Sequence, residues 1–123
     1  MAKTILVVDD SSSLRQVVCI ALKQGGYDVI EACDGQDALG KLLSASKVNL
    51  IISDVNMPVM DGITFVKEVK RLPQHKFTPI IMLTTESQDS KRQEGQAAGA
   101  KAWVVKPFKP DQMLGAVAKL ILA

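Results

Sequence analysis

Five short apolar runs punctuate this chain at nearly even intervals, and that rhythm constrains the fold more than any other feature. They occupy residues 5–8, 29–30, 50–52, 80–83 and 102–105. All but the second are continuous rather than alternating, as expected of parallel strands covered on both faces. The second is flanked by Asp28 and Glu31, which suits an edge strand. Helix-period segments separate the runs. Leu14, Val17, Val18, Ala21 and Leu22 form one apolar stripe, and Ala38, Leu39, Leu42 and Leu43 a second. Phe65, Val66, Val69 and Leu72 form a third, and Met113, Leu114, Val117, Leu120 and Ile121 a last. Gly25 and Gly26 stop the first helix, Pro73 follows the third, and Pro110-Asp111 opens the last. Residues 90–98 carry few large apolar side chains and Gly95 in their midst. They predict the most weakly packed helix, the one expected to move.

Strict strand–helix alternation implies a parallel sheet with helices on both faces, joined by right-handed crossovers. A chain of 123 residues has room for one such domain, spanning 1–123 with no output domain, and is too short for an eight-fold barrel. The expected class is α/β, a five-stranded doubly wound sheet of order 2-1-3-4-5. The composition, 47% hydrophobic and 23% charged, is that of a soluble globular domain. A net charge of +2 argues for neither a nucleic-acid nor a membrane partner. No secretory leader or membrane span is legible, so a cytoplasmic location is expected. Cys19 and Cys33 lack metal or redox spacing and read as two small buried hydrophobes.

In such sheets ligands bind at the carboxyl ends of the strands, beside strand one where the order reverses. Asp9 and Asp10 follow the first strand, Asp54 the third, Thr84 and Thr85 the fourth, and Lys106 the fifth. A lone Asp after a strand is ordinarily a cap or turn residue. Asp10 with Ser11–Ser13 passes for a helix cap, and Asp61-Gly62 reads as a turn into a helix. That reading is poor for Asp9, Asp10, Asp54, Thr84 and Lys106 together, since all five fall on one rim. Three crowded carboxylates repel each other, and a divalent cation removes the conflict. Carboxylates, a backbone carbonyl and water are the ligand set of Mg²⁺, and the lack of a nearby His or Cys argues against zinc. A partly hydrated Mg²⁺ beside a lysine suits a phosphoryl group.

The stretches V-V-D-D-S, I-S-D-V-N-M-P-V-M-D-G, I-M-L-T-T-E and V-V-K-P-F, in that order, resemble the response-regulator receiver domain of two-component signalling. The resemblance covers the whole chain and is strongest to free-standing, CheY-like chemotaxis members, which share the flavodoxin-like architecture. It implies that Asp54 accepts a phosphoryl group from phosphohistidine of a partner kinase, CheA-like in chemotaxis. It implies that Asp10, Asp54 and the backbone carbonyl of Asn56 bind Mg²⁺, with Asp9 reaching the ion more through water. Lys106 then pairs with phosphoryl oxygens, Thr84 donates a hydrogen bond to one, and Trp103 stands at the switch aromatic position. A cis Lys106–Pro107 peptide also follows from the resemblance alone.

The implied output is a remodelled face of strand four, helix four and strand five. Lys91, Arg92, Lys101, Trp103 and Lys109 lie in or around it, either as a solvated basic rim or as a receptor for an acidic helical segment. A flagellar motor switch protein is the usual target, a phosphatase is a further partner, and the protein is expected to be monomeric. Trp103 is bulkier than the usual Tyr or Phe, which puts the motor target in question. Its other reading is simple core packing. Thr85 is larger than usual and narrows access to the phosphoryl group, whereas Asn56 and Glu86 tune dephosphorylation. A phosphate sink or relay intermediate shares all this chemistry. A haloacid-dehalogenase-like phosphatase also uses an Asp nucleophile, Mg²⁺ and a Lys, but needs a second Asp where Asn56 stands. In a flavodoxin-like cofactor protein Asp9 and Asp10 would repel a flavin phosphate. A P-loop enzyme lacks its G-x-x-x-x-G-K. His75, in a loop before the fourth strand, takes no role.

Overall fold

The computed structural model describes residues 3–44, 47–55, 57, 59–84, 89–105 and 109–121, leaving aside the side chains at 84, 89–92 and 95. Its strands are β1 (Thr4–Val8), β2 (Asp28–Ala32), β3 (Leu50–Asp54), β4 (Ile80–Thr84) and β5 (Ala102–Val105). They alternate with helices α1 (Ser12–Gln24), α2 (Gly35–Ser44), α3 (Gly62–Lys70), α4 (Asp89–Ala98) and α5 (Pro110–Ile121). The sheet is parallel throughout, in the expected order β2-β1-β3-β4-β5. Among the described residues no helix is long and apolar enough to cross a membrane.

The continuous apolar runs divide by their period of two. Leu6, Val8, Ile51, Ile80 and Met82 face α2 and α3, meeting Ala38, Leu42, Phe65, Val66 and Val69. Ile5, Val7, Leu50, Ile52, Ile81 and Leu83 face α1 and α5, meeting Val18, Leu22, Met113, Val117 and Ile121. Each fully buried Leu or Ile contributes roughly 1.5–3 kcal/mol. That burial on both faces holds the central strands level with one another. Val8 stands beside Ser53, and Asp54 beside Leu83. Residues that follow β1 and β3 therefore emerge together.

Helix boundaries follow local chemistry. Ser11 caps α1, its side chain accepting from Leu14 N–H at 3.4 Å. Gly25 and Gly26 end the helix, Gly26 at φ +91° where only glycine sits without strain. Asp61 caps α3 through Thr64 N–H at 2.9 Å. None of the described side chains of α4 is buried, in keeping with its expected weak packing.

Several expectations are corrected. Val17 is 54% exposed and Leu43 71% exposed. The buried stripe of α1 is Val18, Cys19, Ala21 and Leu22, so its centre lies past Val17. Leu43 is rotated about 100° from buried Leu42 around α2. Leu72 lies beyond the end of α3 and is half-buried, preceding a 3₁₀ turn at Pro73–His75. Cys19 is buried as expected, but Cys33 is exposed, because it follows edge strand β2 in an uncovered loop.

His75 is buried rather than a bystander. Its ring nitrogens lie 3.3 Å from Thr78 Oγ1 and 3.4 Å from the Leu42 carbonyl oxygen. It ties the end of α2 to the approach to β4.

Candidate functional site

The two central strands deliver the acidic residues. Asp9 is 1% exposed and Asp54 6%, while Asp10 is exposed. One carboxylate oxygen from each of Asp9, Asp10 and Asp54 lies within 4.8 Å of the other two. The turn after β1 is held at several points. Asp9 N–H donates to the Ala32 carbonyl at 3.1 Å, and Ser11 N–H donates to Asp9 Oδ1 at 2.9 Å. Arg15 Nη1 donates to the Asp9 carbonyl oxygen at 2.5 Å, and Arg15 Nε to Glu31 Oε1 at 3.1 Å. The aspartate turn is thus strapped to both α1 and β2.

The end of β3 is held as firmly. The buried Ser53 hydroxyl donates to the Asp54 carbonyl at 3.0 Å, and Val55 N–H donates to the Leu83 carbonyl at 3.0 Å. Gly62 N–H returns to the Val55 carbonyl at 2.8 Å. A Cβ at Gly62 would lie 2.2 Å from the Asp54 carbonyl oxygen and 2.8 Å from both Val55 Cα and Met82 Cε. Only glycine lets α3 start against the strand end this closely. Between them Val59 adopts φ +69°, a conformation costly for a β-branched side chain, and stands 76% exposed.

Three converging carboxylates with no His or Cys in the group make an all-oxygen donor set. Such a set fits a hard divalent cation of the Mg²⁺ kind and not zinc.

The other expected site residues divide. Thr84 ends β4 beside Val105 of β5, on the same rim, and its side chain is outside the described residues. Asn56, Thr85, Glu86, Lys106 and the Lys106–Pro107 peptide also lie outside them. Lys91 and Arg92 fall in α4 with undescribed side chains. Lys101 and Lys109 are exposed at opposite ends of β5, Lys101 before it and Lys109 past it. Trp103 packs half-buried on the α3 face of the sheet, next to Met82 in register. Its Nε1–H is buried and has no hydrogen-bond partner among the described residues.

The sequence reading missed three residues that shape the site. Arg15 sits one turn into α1, and only the tertiary fold brings Glu31 and the Asp9 carbonyl to it. Ser53 is polar inside an apolar run, which was a visible signal. Gly62 was legible as a turn residue, but not as the contact that sets the height of α3.

The family described as the response regulator receiver domain matches residues 5–118. Chemotaxis response regulator CheY4 of Vibrio cholerae is 50% identical, covers 98% of this chain and 99% of its own, and superposes with a TM-score of 0.92. The receiver domain of sensor histidine kinase PA1611 from Pseudomonas aeruginosa, solved with magnesium coordinated in its active-site cleft, is 26% identical with a TM-score of 0.90. That likeness covers 100% of both chains. The phosphate regulon transcriptional regulatory protein PhoB of Escherichia coli is 34% identical over 117 residues, covering 95% of this chain and 51% of PhoB. The chain therefore spans about half the length of such curated relatives.

Proposed function

Because this chain belongs to the response-regulator receiver family, whose members take phosphoryl groups from histidine kinases, we propose that Asp54 is the phosphoacceptor. One observation carries the assignment: Asp54, nearly buried at the end of β3, converges with Asp9 and Asp10 within 4.8 Å. An Asp54 carboxylate oxygen attacks phosphorus of the kinase phosphohistidine. The P–N bond breaks, the imidazole leaves, and an acyl phosphate remains on Asp54. Asp10, Asp54 and the Asn56 carbonyl would hold Mg²⁺, with Asp9 contributing its charge to the same site. Bound there, the ion supplies positive charge where the phosphoryl oxygens carry negative charge in the loose transition state. Lys106 pairs with those oxygens and Thr84 donates to one. The protein is a self-modifying switch, not a turnover enzyme, and also catalyses its own dephosphorylation. Family membership sets aside the haloacid-dehalogenase-like phosphatase.

The phosphoryl group adds about −1.5 to −2 charge on the rim. Thr84 moves toward it, and Trp103, whose buried Nε1–H has no partner among the described residues, repacks beside β4. The face built from β4, α4 and β5, with Lys91, Arg92, Lys101, Trp103 and Lys109, then changes its affinity for an acidic helical segment of a protein target. Converting a 1:99 population to 99:1 takes about 5.5 kcal/mol of differential stabilisation, within reach of a few charge-assisted contacts. The likeness to CheY4 across nearly the whole of both chains favours chemotaxis. A CheA-like kinase is then the donor in the cytoplasm, and a motor switch protein the target.

The test is incubation with Mg²⁺ and acetyl phosphate, following phosphoprotein formation and Trp103 fluorescence. Wild type is expected to be labelled and to change emission, and Asp54→Asn to do neither. Equal labelling of Asp54→Asn, or none in wild type, overturns the assignment.

A further inference from the structure

Away from the acidic rim, a groove of about 450 Å³ runs between α3 and α4. Lys67, Lys70 and Arg71 form one wall, and Glu94, Ala97 and Ala98 the other. Lys70 is half-buried, its Nζ donates to the Thr78 carbonyl oxygen at 2.7 Å, and its stem lies over Gly99. Burial and the neighbouring Lys101 hold the Lys70 ammonium below the usual lysine range. Among the described residues no carboxylate lies within 4 Å of Lys67, Lys70 or Lys101; Arg71 alone of the four has one, Glu68 at 3.1 Å. A part-buried cation set beside a second cation, with no anion in contact, favours an external negative group. The wider charge distribution agrees. Residues 62–123 carry ten Lys and Arg against five Asp and Glu, whereas residues 1–61 carry five against eight.

We propose that the α3–α4 groove docks an acidic polypeptide segment of a partner protein. Lys67, Lys70 and the Arg71 that follows α3 fall within about 6 Å along the helix axis, so they meet carboxylates closely spaced on one segment. Ala97 and Ala98 leave the opposite wall low and apolar, and the lysine stems add further apolar surface. Glu94 interrupts the positive field on that wall, which disfavours a compact polyanion and suits a chain with small apolar residues between its acids. The surface lies on the α3 side of α4, apart from the phosphorylation rim, and does not depend on the role of Asp54.

The experiment is amide-resolved NMR on the full chain with a short synthetic peptide alternating Glu with Ala and Leu. Its Glu→Gln counterpart and inorganic pyrophosphate serve as separate probes. The Glu peptide is expected to shift the amides of Lys67, Lys70, Arg71, Ala97 and Ala98, less so as salt is added. Exposed Lys67 has no described role in folding, so Lys67→Glu is expected to weaken binding about tenfold while the fold persists. Asp54→Asn is expected to bind as wild type does. The proposal is overturned if the Gln peptide binds equally, if Lys67→Glu changes nothing, if the shifts fall on another face, or if pyrophosphate occupies the groove and the peptide does not.

Discussion

The Asp54 carbonyl oxygen and the Cα of Gly62 are packed so closely that a methyl group on the glycine would sit 2.2 Å from that oxygen. The first residue of α3 thereby sets the height of the strand end that carries the Asp54 carboxylate. Gly62→Ala is expected to push α3 away from β3, with an overpacking cost of about 1–3 kcal/mol. Urea unfolding reads the cost. Acetyl phosphate labelling is expected to slow as the three carboxylates lose their convergence.

Arg15 straps the aspartate turn without contributing a ligand atom. Its bonds to the Asp9 carbonyl at 2.5 Å and to Glu31 at 3.1 Å stiffen the support beneath the carboxylates. Residues that orient ligands in this way typically affect metal affinity about 10- to 100-fold. Arg15→Gln is expected to weaken Mg²⁺ binding about tenfold, read by titration against Trp103 fluorescence. Its unfolding midpoint should fall little, since the ion pair reaches solvent at Glu31.

Val59 carries backbone strain while its side chain stays largely in solvent, at φ +69° and 76% exposed. Asn tolerates that conformation far better. Val59→Asn is expected to raise stability by about 1 kcal/mol, measured as a higher urea midpoint at unchanged slope. A lower midpoint would mean that the valine side chain is held by contacts that outweigh the strain.

The Asp37 carboxyl is held below its ordinary value, chiefly by the Cys33 backbone N–H at 3.0 Å and also by the Lys41 ammonium at 3.3 Å. A lowered folded-state value means that its contribution is complete above the unfolded carboxyl's ordinary 3.8 and is lost as pH falls through the folded value. Asp37→Asn is expected to flatten the acid limb of the stability–pH curve below that point. Urea titrations across the acid range measure it.

The strand order, the helix segments and the shared rim of Asp9, Asp10 and Asp54 were readable because both faces of the central strands are buried. Full burial forces continuous apolar runs, and continuous runs force a parallel, crossover-connected sheet. Val17 and Leu43 were misread because a stripe fixes a helix face only to within one residue, and Cys33 because nothing local marks the loop after edge strand β2 as uncovered. The side chain beside the true centre looks alike in sequence but sits about 100° away.

The sequence by itself determined the architecture and the acidic rim, since periodicity and strand-end position are local properties of the chain. Only the tertiary structure decided the rest: the Arg15 strap to Glu31, the contact of Gly62 under Asp54, and the nearness of Lys70 to Lys101 beside α4. Each joins residues from different elements. Their distances depend on how those elements pack, and no pattern along the chain encodes a separation in space.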